Sequence, residues 1–61
     1  MKRYRACCDM QLADGHVSIT RCFNYYENLF LFIQKYREAG FAVTAFEYDD
    51  SKKSYLKLSI A

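Results

Sequence analysis

The sequence predicts an α+β fold: a two-layer ββαββ sandwich, with one helix packed on one face of a four-stranded antiparallel sheet. Three observations point there. Apolar and polar residues alternate with period two on both sides of Asp14-Gly15. One central stretch carries its apolar residues at helical spacing and stops at Gly40. A second alternating pair of segments follows, interrupted by Asp49-Asp50-Ser51-Lys52-Lys53.

In the first hairpin Tyr4, Ala6, Cys8, Met10 and Leu12 alternate with Arg3, Arg5, Cys7, Asp9 and Gln11. After the turn Val17, Ile19 and Phe23 alternate with His16, Ser18, Thr20 and Cys22. Period two means one covered face and one open face. Asp-Gly between alternating runs is a strong two-residue hairpin signal, because both turn residues adopt positive φ. A turn at Asp14-Gly15 sets Leu12 opposite Val17 and Met10 opposite Ile19. The apolar sets coincide in this register or in one two residues away, whereas a one-residue slip would turn every side chain over. Arg21 falls on the covered face, near the strand end, where its stem can lie on apolar surface and its head reach water.

The helix is expected from Tyr25 to Ala39. Asn24 is a suitable N-cap, and Glu27 completes an Asn-x-x-Glu capping box. Tyr26, Leu29, Phe30, Ile33 and Tyr36 form one apolar stripe, with Phe32 off it. Gly40 stands at C′, where a left-handed backbone ends the helix, and Phe41 at C″ is placed to pack on Tyr36.

In the second hairpin Phe41, Val43 and Ala45 alternate with Ala42, Thr44, Phe46 and Tyr48. Leu56, Leu58 and Ile60 alternate with Tyr55, Lys57 and Ser59. A turn pair at Asp50-Ser51 sets Ala45 opposite Leu56, Val43 opposite Leu58 and Phe41 opposite Ile60; a longer loop would shift this register and could bury Phe46 and Tyr48 instead. The whole is expected to be one domain, residues 1–61, made of hairpin 3–23, helix 25–39 and hairpin 41–60, since 61 residues cannot build two cores. An all-antiparallel strand order 2-1-3-4 is preferred because it needs no parallel pair. The expected core is Tyr4, Cys8, Met10, Leu12, Val17, Ile19, Phe23, Leu29, Phe30, Ile33, Val43, Leu56, Leu58 and Ile60.

Composition excludes several classes. With 52% hydrophobic residues the chain is too apolar for extended disorder. Its longest aliphatic and aromatic run, Leu29 to Ile33, falls far short of the roughly 20 residues a membrane span needs. No apolar stretch of signal-peptide length lies between Arg3 and Asp9, so a cytoplasmic protein is expected. The net charge of +2 is too mild to demand nucleic acid.

The cysteines are Cys7, Cys8 and Cys22. In the expected register Cys7 lies opposite Cys22 with Cα atoms about 5.5 Å apart, which makes them a candidate redox pair, although cytosolic thiols ordinarily stay reduced. A zinc site within one chain is not expected. Cys7 and Cys8 point to opposite faces, and His16 is roughly 20 Å along the strand from Cys22. No cofactor motif is present, glycine serves one turn and one cap, and a sheet with a single helix encloses little pocket volume. An enzyme is therefore not expected.

What is left free is the helix-free sheet face. It is expected to carry Phe46, Tyr48 and Tyr55 with Lys53, Lys57, Arg3 and Arg5, and Phe46 opposite Tyr55. Rings beside cations suit a protein-binding surface, for another protein or for a second copy in a homodimer. The alternative is a platform for single-stranded nucleic acid, with bases stacked on rings and cations along the phosphates. Low net charge, with Asp9, Glu47, Asp49 and Asp50 near the same face, favours protein. In size the chain is similar to stand-alone inhibitors and adaptors, including those of phages and mobile elements.

Overall fold

The computed structural model describes residues 2–59. The elements follow the order β1 (Tyr4–Leu12), β2 (Gly15–Phe23), α1 (Tyr26–Glu38), β3 (Ala42–Asp49) and β4 (Ser54–Lys57). The strands form one antiparallel sheet in the order β2-β1-β3-β4, the order preferred from the sequence. No helix among the described residues is long and apolar enough to cross a membrane.

The first hairpin turns one residue earlier than expected. Leu12 pairs with Gly15, so the turn residues are Ala13 and Asp14, and the register moves by two to Tyr4–Phe23, Cys8–Ile19 and Met10–Val17. Neither turn residue has positive φ. Gly15 takes the place after a type I-like turn, which glycine favours, and Gln11 Nε2 donates to Gly15 O at 2.9 Å across the tip. This register pairs every residue of both nine-residue strands, and it brings Phe23 beside Tyr4 where the helix packs.

The helix start also differs. Tyr25 is the N-cap, in extended conformation and with no side-chain cap, so Asn24 and Glu27 form no capping box. Ring packing marks this end instead: Tyr26 meets Tyr4 edge-on at 5.9 Å and stacks on Phe30 at 6.5 Å. The C-terminal end is the expected Schellman closure. Gly40 has φ 95°, its N–H donates to Arg37 O, the Phe41 N–H donates to Tyr36 O, and the two rings meet at 5.3 Å.

The buried side of α1 is turned relative to the expected stripe. Leu29 and Ile33 are buried. Phe32 packs on Phe23 at 5.2 Å and stacks on Tyr36 at 4.4 Å. Phe30, expected in the core, is 50% exposed, and Tyr26 is 53% exposed. The helix has more apolar residues than one face can cover, and packing selects the arc centred on Leu29 and Tyr36. Leu12 and Leu56 are also exposed, because each lies near a hairpin end that α1 does not reach. Ile60 lies outside the described residues.

The second hairpin has a four-residue loop, 50–53. It pairs Phe46–Lys57, Glu47–Leu56, Tyr48–Tyr55 and Asp49–Ser54, two residues from the short-loop register. Asp49 holds the loop: one carboxylate oxygen accepts from the Ser51 N–H and hydroxyl and from the Lys52 N–H. An even shift preserves the faces, so Phe46 and Tyr48 stay on the open side.

The buried cluster consists of Ala6, Leu29, Ile33 and Ala45, with Tyr4, Phe23, Phe32, Val43 and Leu58 packed around it. Ala6 and Ala45 are directly opposed on β1 and β3. The molecule measures 41 × 20 × 20 Å, and its radius of gyration of 12.3 Å exceeds the value of about 10.5 Å for a compact chain of this length. The tip of the β1–β2 hairpin accounts for part of the elongation, since β3 pairs with β1 only as far as Asp9.

Ile33→Ala should destabilise the fold by about 2–5 kcal/mol, whereas Phe30→Ala should cost under about 1 kcal/mol. Gly40→Ala should cost about 1–2 kcal/mol through its left-handed φ alone, because a Cβ there meets only Met10 Cε at an ordinary 3.6 Å. Denaturant titrations of the three variants check this. Equal losses for Ile33→Ala and Phe30→Ala would place the wrong side of α1 in the core.

Candidate functional site

The open sheet face is a grid whose rows follow from the three strand registers. Cys22, Arg5, Phe46 and Lys57 form one row across all four strands. Thr20, Cys7 and Thr44 form the next. On the other side Tyr48 and Tyr55 pair, and the Tyr48 N–H donates to Arg3 O at 2.8 Å. The structure thus brings Arg5, Phe46, Tyr48, Tyr55 and Lys57 together as expected, but with Tyr48, not Phe46, opposite Tyr55.

Two of the three rings, Tyr48 and Tyr55, are occupied with one another. Tyr48 meets Tyr55 edge-on at 5.3 Å. The Arg5 guanidinium lies over the Tyr55 ring at 4.2 Å, and the Tyr55 hydroxyl donates to Lys2 O at 2.6 Å. All three rings are half-buried. Arg5 Nε is buried with no hydrogen-bond partner, so stacking on Tyr55 is what receives this cation.

The remaining expected residues are placed differently. Arg3 reaches Glu47: Nε and Nη2 both contact Oε2, at 3.0 and 2.8 Å. Hydrogen bonding to Glu47 is the main reason its guanidinium is held above the ordinary value. Lys53 belongs to the loop, with φ 53°, and not to a strand face. The Ser51 hydroxyl, followed by the Lys52 N–H, holds the Asp49 carboxyl below its ordinary value.

The shifted register separates the candidate redox pair. Cys7 lies opposite Thr20, whose hydroxyl is 3.8 Å from its sulfur, and Cys22 lies opposite Arg5. Cys7 and Cys22 are diagonal neighbours, a relation that puts Cα atoms about 7–8 Å apart, too far for a disulfide without backbone movement. Cys8 is fully buried, and burial is the main cause pushing its thiol up. Among the described residues no group of three His, Cys, Asp or Glu side chains could hold a metal ion.

A cleft of about 540 Å³ lies at the β3–β4 end, lined among others by Arg3, Glu47, Tyr48, Asp49 and Leu58. Of its charges Arg3 is engaged with Glu47 and Asp49 with its own loop, while Asp50 and Lys57 have no ion-pair partner among the described residues.

The sequence reading missed the exposed side of α1. Tyr26, Phe30 and Leu31 are each at least half exposed, and Tyr25 precedes them. The signal was present: Leu29, Phe30, Leu31, Phe32 and Ile33 are consecutive, and five consecutive helical residues span more than a full turn. No family model matches this chain, and no curated protein or solved structure matches it, so function is read from these surfaces alone.

Two outcomes follow. Alkylation under native conditions should modify Cys7 and Cys22 well before Cys8, as peptide mapping by mass spectrometry would show; early labelling of Cys8 would contradict its burial. Because Asp49 is held low, its contribution is present at neutral pH and is lost as pH falls below about 4. Thermal melts from pH 6 to 2 should show a shallower acid loss for Asp49→Asn than for the unmodified chain, and identical acid limbs would refute the loop cap.

Proposed function

We propose that this chain is a small non-enzymatic module that binds another protein in the cytoplasm, as an inhibitor or adaptor of the kind phages and mobile elements carry. The observation that carries the reading is the Tyr26–Phe30 side of α1. Phe32 packs towards β2 through Phe23, and Tyr26 and Phe30 lie well over a quarter-turn round the helix from it, with Tyr26 against Tyr4 of β1. Tyr26 and Phe30 stack on each other and keep about half their surface in water. Ring surface of this kind adds affinity when a partner buries it.

Charge specifies the partner's chemistry. Among the described residues Lys52, Lys53 and Lys57, in the β3–β4 loop and at the end of β4, have no ion-pair partner. A protein surface with an apolar patch bordered by carboxylates fits both features. The nucleic-acid alternative needs ring faces free for bases, and Tyr55 already has Arg5 over one face and Tyr48 against its edge.

The test is capture from the native host, identification of the captured protein, and titration of that purified partner. Tyr26→Ala and Phe30→Ala, which should remain folded, are expected to weaken binding by at least about tenfold. Phe46→Ala and Lys57→Ala report on the sheet face in the same assay. Oligonucleotide affinity that falls steeply with salt, and is lost in Lys57→Ala, would transfer the function to nucleic acid. Folded variants that bind every partner unchanged would defeat the proposal.

A further inference from the structure

The two edges of the sheet are built differently. β4 has only four residues and is bordered by Lys52, Lys53 and Lys57, the short and charged form that discourages strand addition. β2 has nine residues, no proline and no lysine, and its register with β1 runs without a bulge from Gly15 to Phe23. Its single formal charge at neutral pH is Arg21. A long, regular and nearly uncharged edge is a template for another strand.

The hydrogen-bond alternation identifies which groups are open. The Tyr48 N–H donates to Arg3 O, so Arg3 and the residues two, four and six further on face β3 with their backbone groups. Tyr4, Ala6, Cys8, Met10 and Leu12 then bond to β2, through Phe23, Arg21, Ile19, Val17 and Gly15. That leaves the N–H and C=O groups of His16, Ser18, Thr20 and Cys22 directed away from the sheet.

We infer that β2 pairs antiparallel with β2 of a second copy of this chain, about a twofold axis at Ile19, joining two sheets into one. This goes beyond the ring-dependent binding proposed for α1 and is independent of it. The register is self-complementary. Ser18 exchanges both backbone hydrogen bonds with Thr20 of the other copy, and His16 with Cys22, so every open group of β2 is satisfied. Ile19 meets its own symmetry mate on the helix side. Ser18 and Thr20 form hydroxyl pairs on the open side. Phe23 covers Gly15 of the other copy. Arg21 faces Val17, and the two Arg21 side chains stand roughly 13 Å apart along the strands. Centring the pair on Arg21 would set the two cations against each other.

The helix position fits the same arrangement. α1 covers the Phe23 end of β2 through Phe32 and leaves the opposite end bare, where Leu12 is 42% exposed. Antiparallel pairing sets each bare end beside the helix-covered end of the other copy. The isolated chain exposes 4568 Å², against about 4,100 Å² for a compact monomer of its mass, so it carries surface that association can remove.

Sedimentation equilibrium of the full chain in reducing buffer, from low micromolar to millimolar, should give twice the chain mass of 7.2 kDa at the upper end. Thr20→Pro removes an N–H that no intrachain strand uses, and should weaken dimerisation by at least about tenfold while the far-ultraviolet circular dichroism is kept. Hydrogen exchange on the unmodified chain gives the second reading, even if Thr20→Pro fails to fold. Ser18 and Thr20 amides should be protected in the dimer and exposed on dilution, with Ile19 protected throughout. A monomer at millimolar concentration would overturn the inference, as would a dimer whose Ser18 and Thr20 amides exchange freely. Either failure leaves ring-dependent capture of a different protein to its own assay, which does not involve β2.

Discussion

The fold depends on two methyl groups. Ala6 and Ala45 oppose each other on the two central strands, both without solvent exposure, and Leu29 and Ile33 of α1 complete the cluster. Short side chains at the centre of the sheet let the helix approach closely enough for two aliphatic residues to fill the space between the layers. Among the described residues no polar group is buried there, so the attachment of α1 is apolar. Everything else about the helix follows from that seat. Its Phe32–Tyr36 side lies towards β2, its Tyr26–Phe30 side is left in water, and the Gly40 reversal delivers β3 alongside β1.

The seat also limits how much of the chain is held firmly. Among the described residues five are buried apolar ones, and the largest of their side chains are leucine and isoleucine. A sheet of four strands presents far more apolar surface than a helix of thirteen residues can cover. The uncovered remainder divides between the outer side of α1, the tip of the first hairpin and the β3–β4 end. A chain this small therefore leaves apolar surface exposed as a direct result of having one helix.

How much of this was legible in the sequence depends on the kind of signal. Period-two alternation identifies faces, and it does so equally well in registers two residues apart. Both expected registers differ from the structure by two, yet Arg5, Phe46, Tyr48 and Tyr55 still share the open face. Neighbours were the part that failed: Cys7 meets Thr20 and Phe46 meets Lys57, because opposition depends on turns and turn chemistry is ambiguous over one or two residues. The Gly40 terminus was legible because left-handed backbone admits few residues. The start was not, since ring packing of Tyr26 on Tyr4 is a tertiary effect. Ala6 and Ala45 escaped the expected core because alanine contributes little to a hydrophobic pattern, although its shortness is what the site requires. Phe30 was included for the opposite reason, being strongly apolar and on the wrong shoulder.

The strand order has a consequence for folding. β1 is flanked by β2, its neighbour in sequence, and by β3, which lies beyond the whole of α1. A hairpin closes in microseconds. Local closure of the β1–β2 hairpin therefore precedes the longer-range pairing of β1 with β3. Until then β1 and β2 both present unpaired backbone, on opposite sides of a two-stranded ribbon that has no helix over it. Arrival of β3 closes the β1 side for good. The chain thus passes through a two-edged state, and the order of pairing makes one edge temporary and the other permanent.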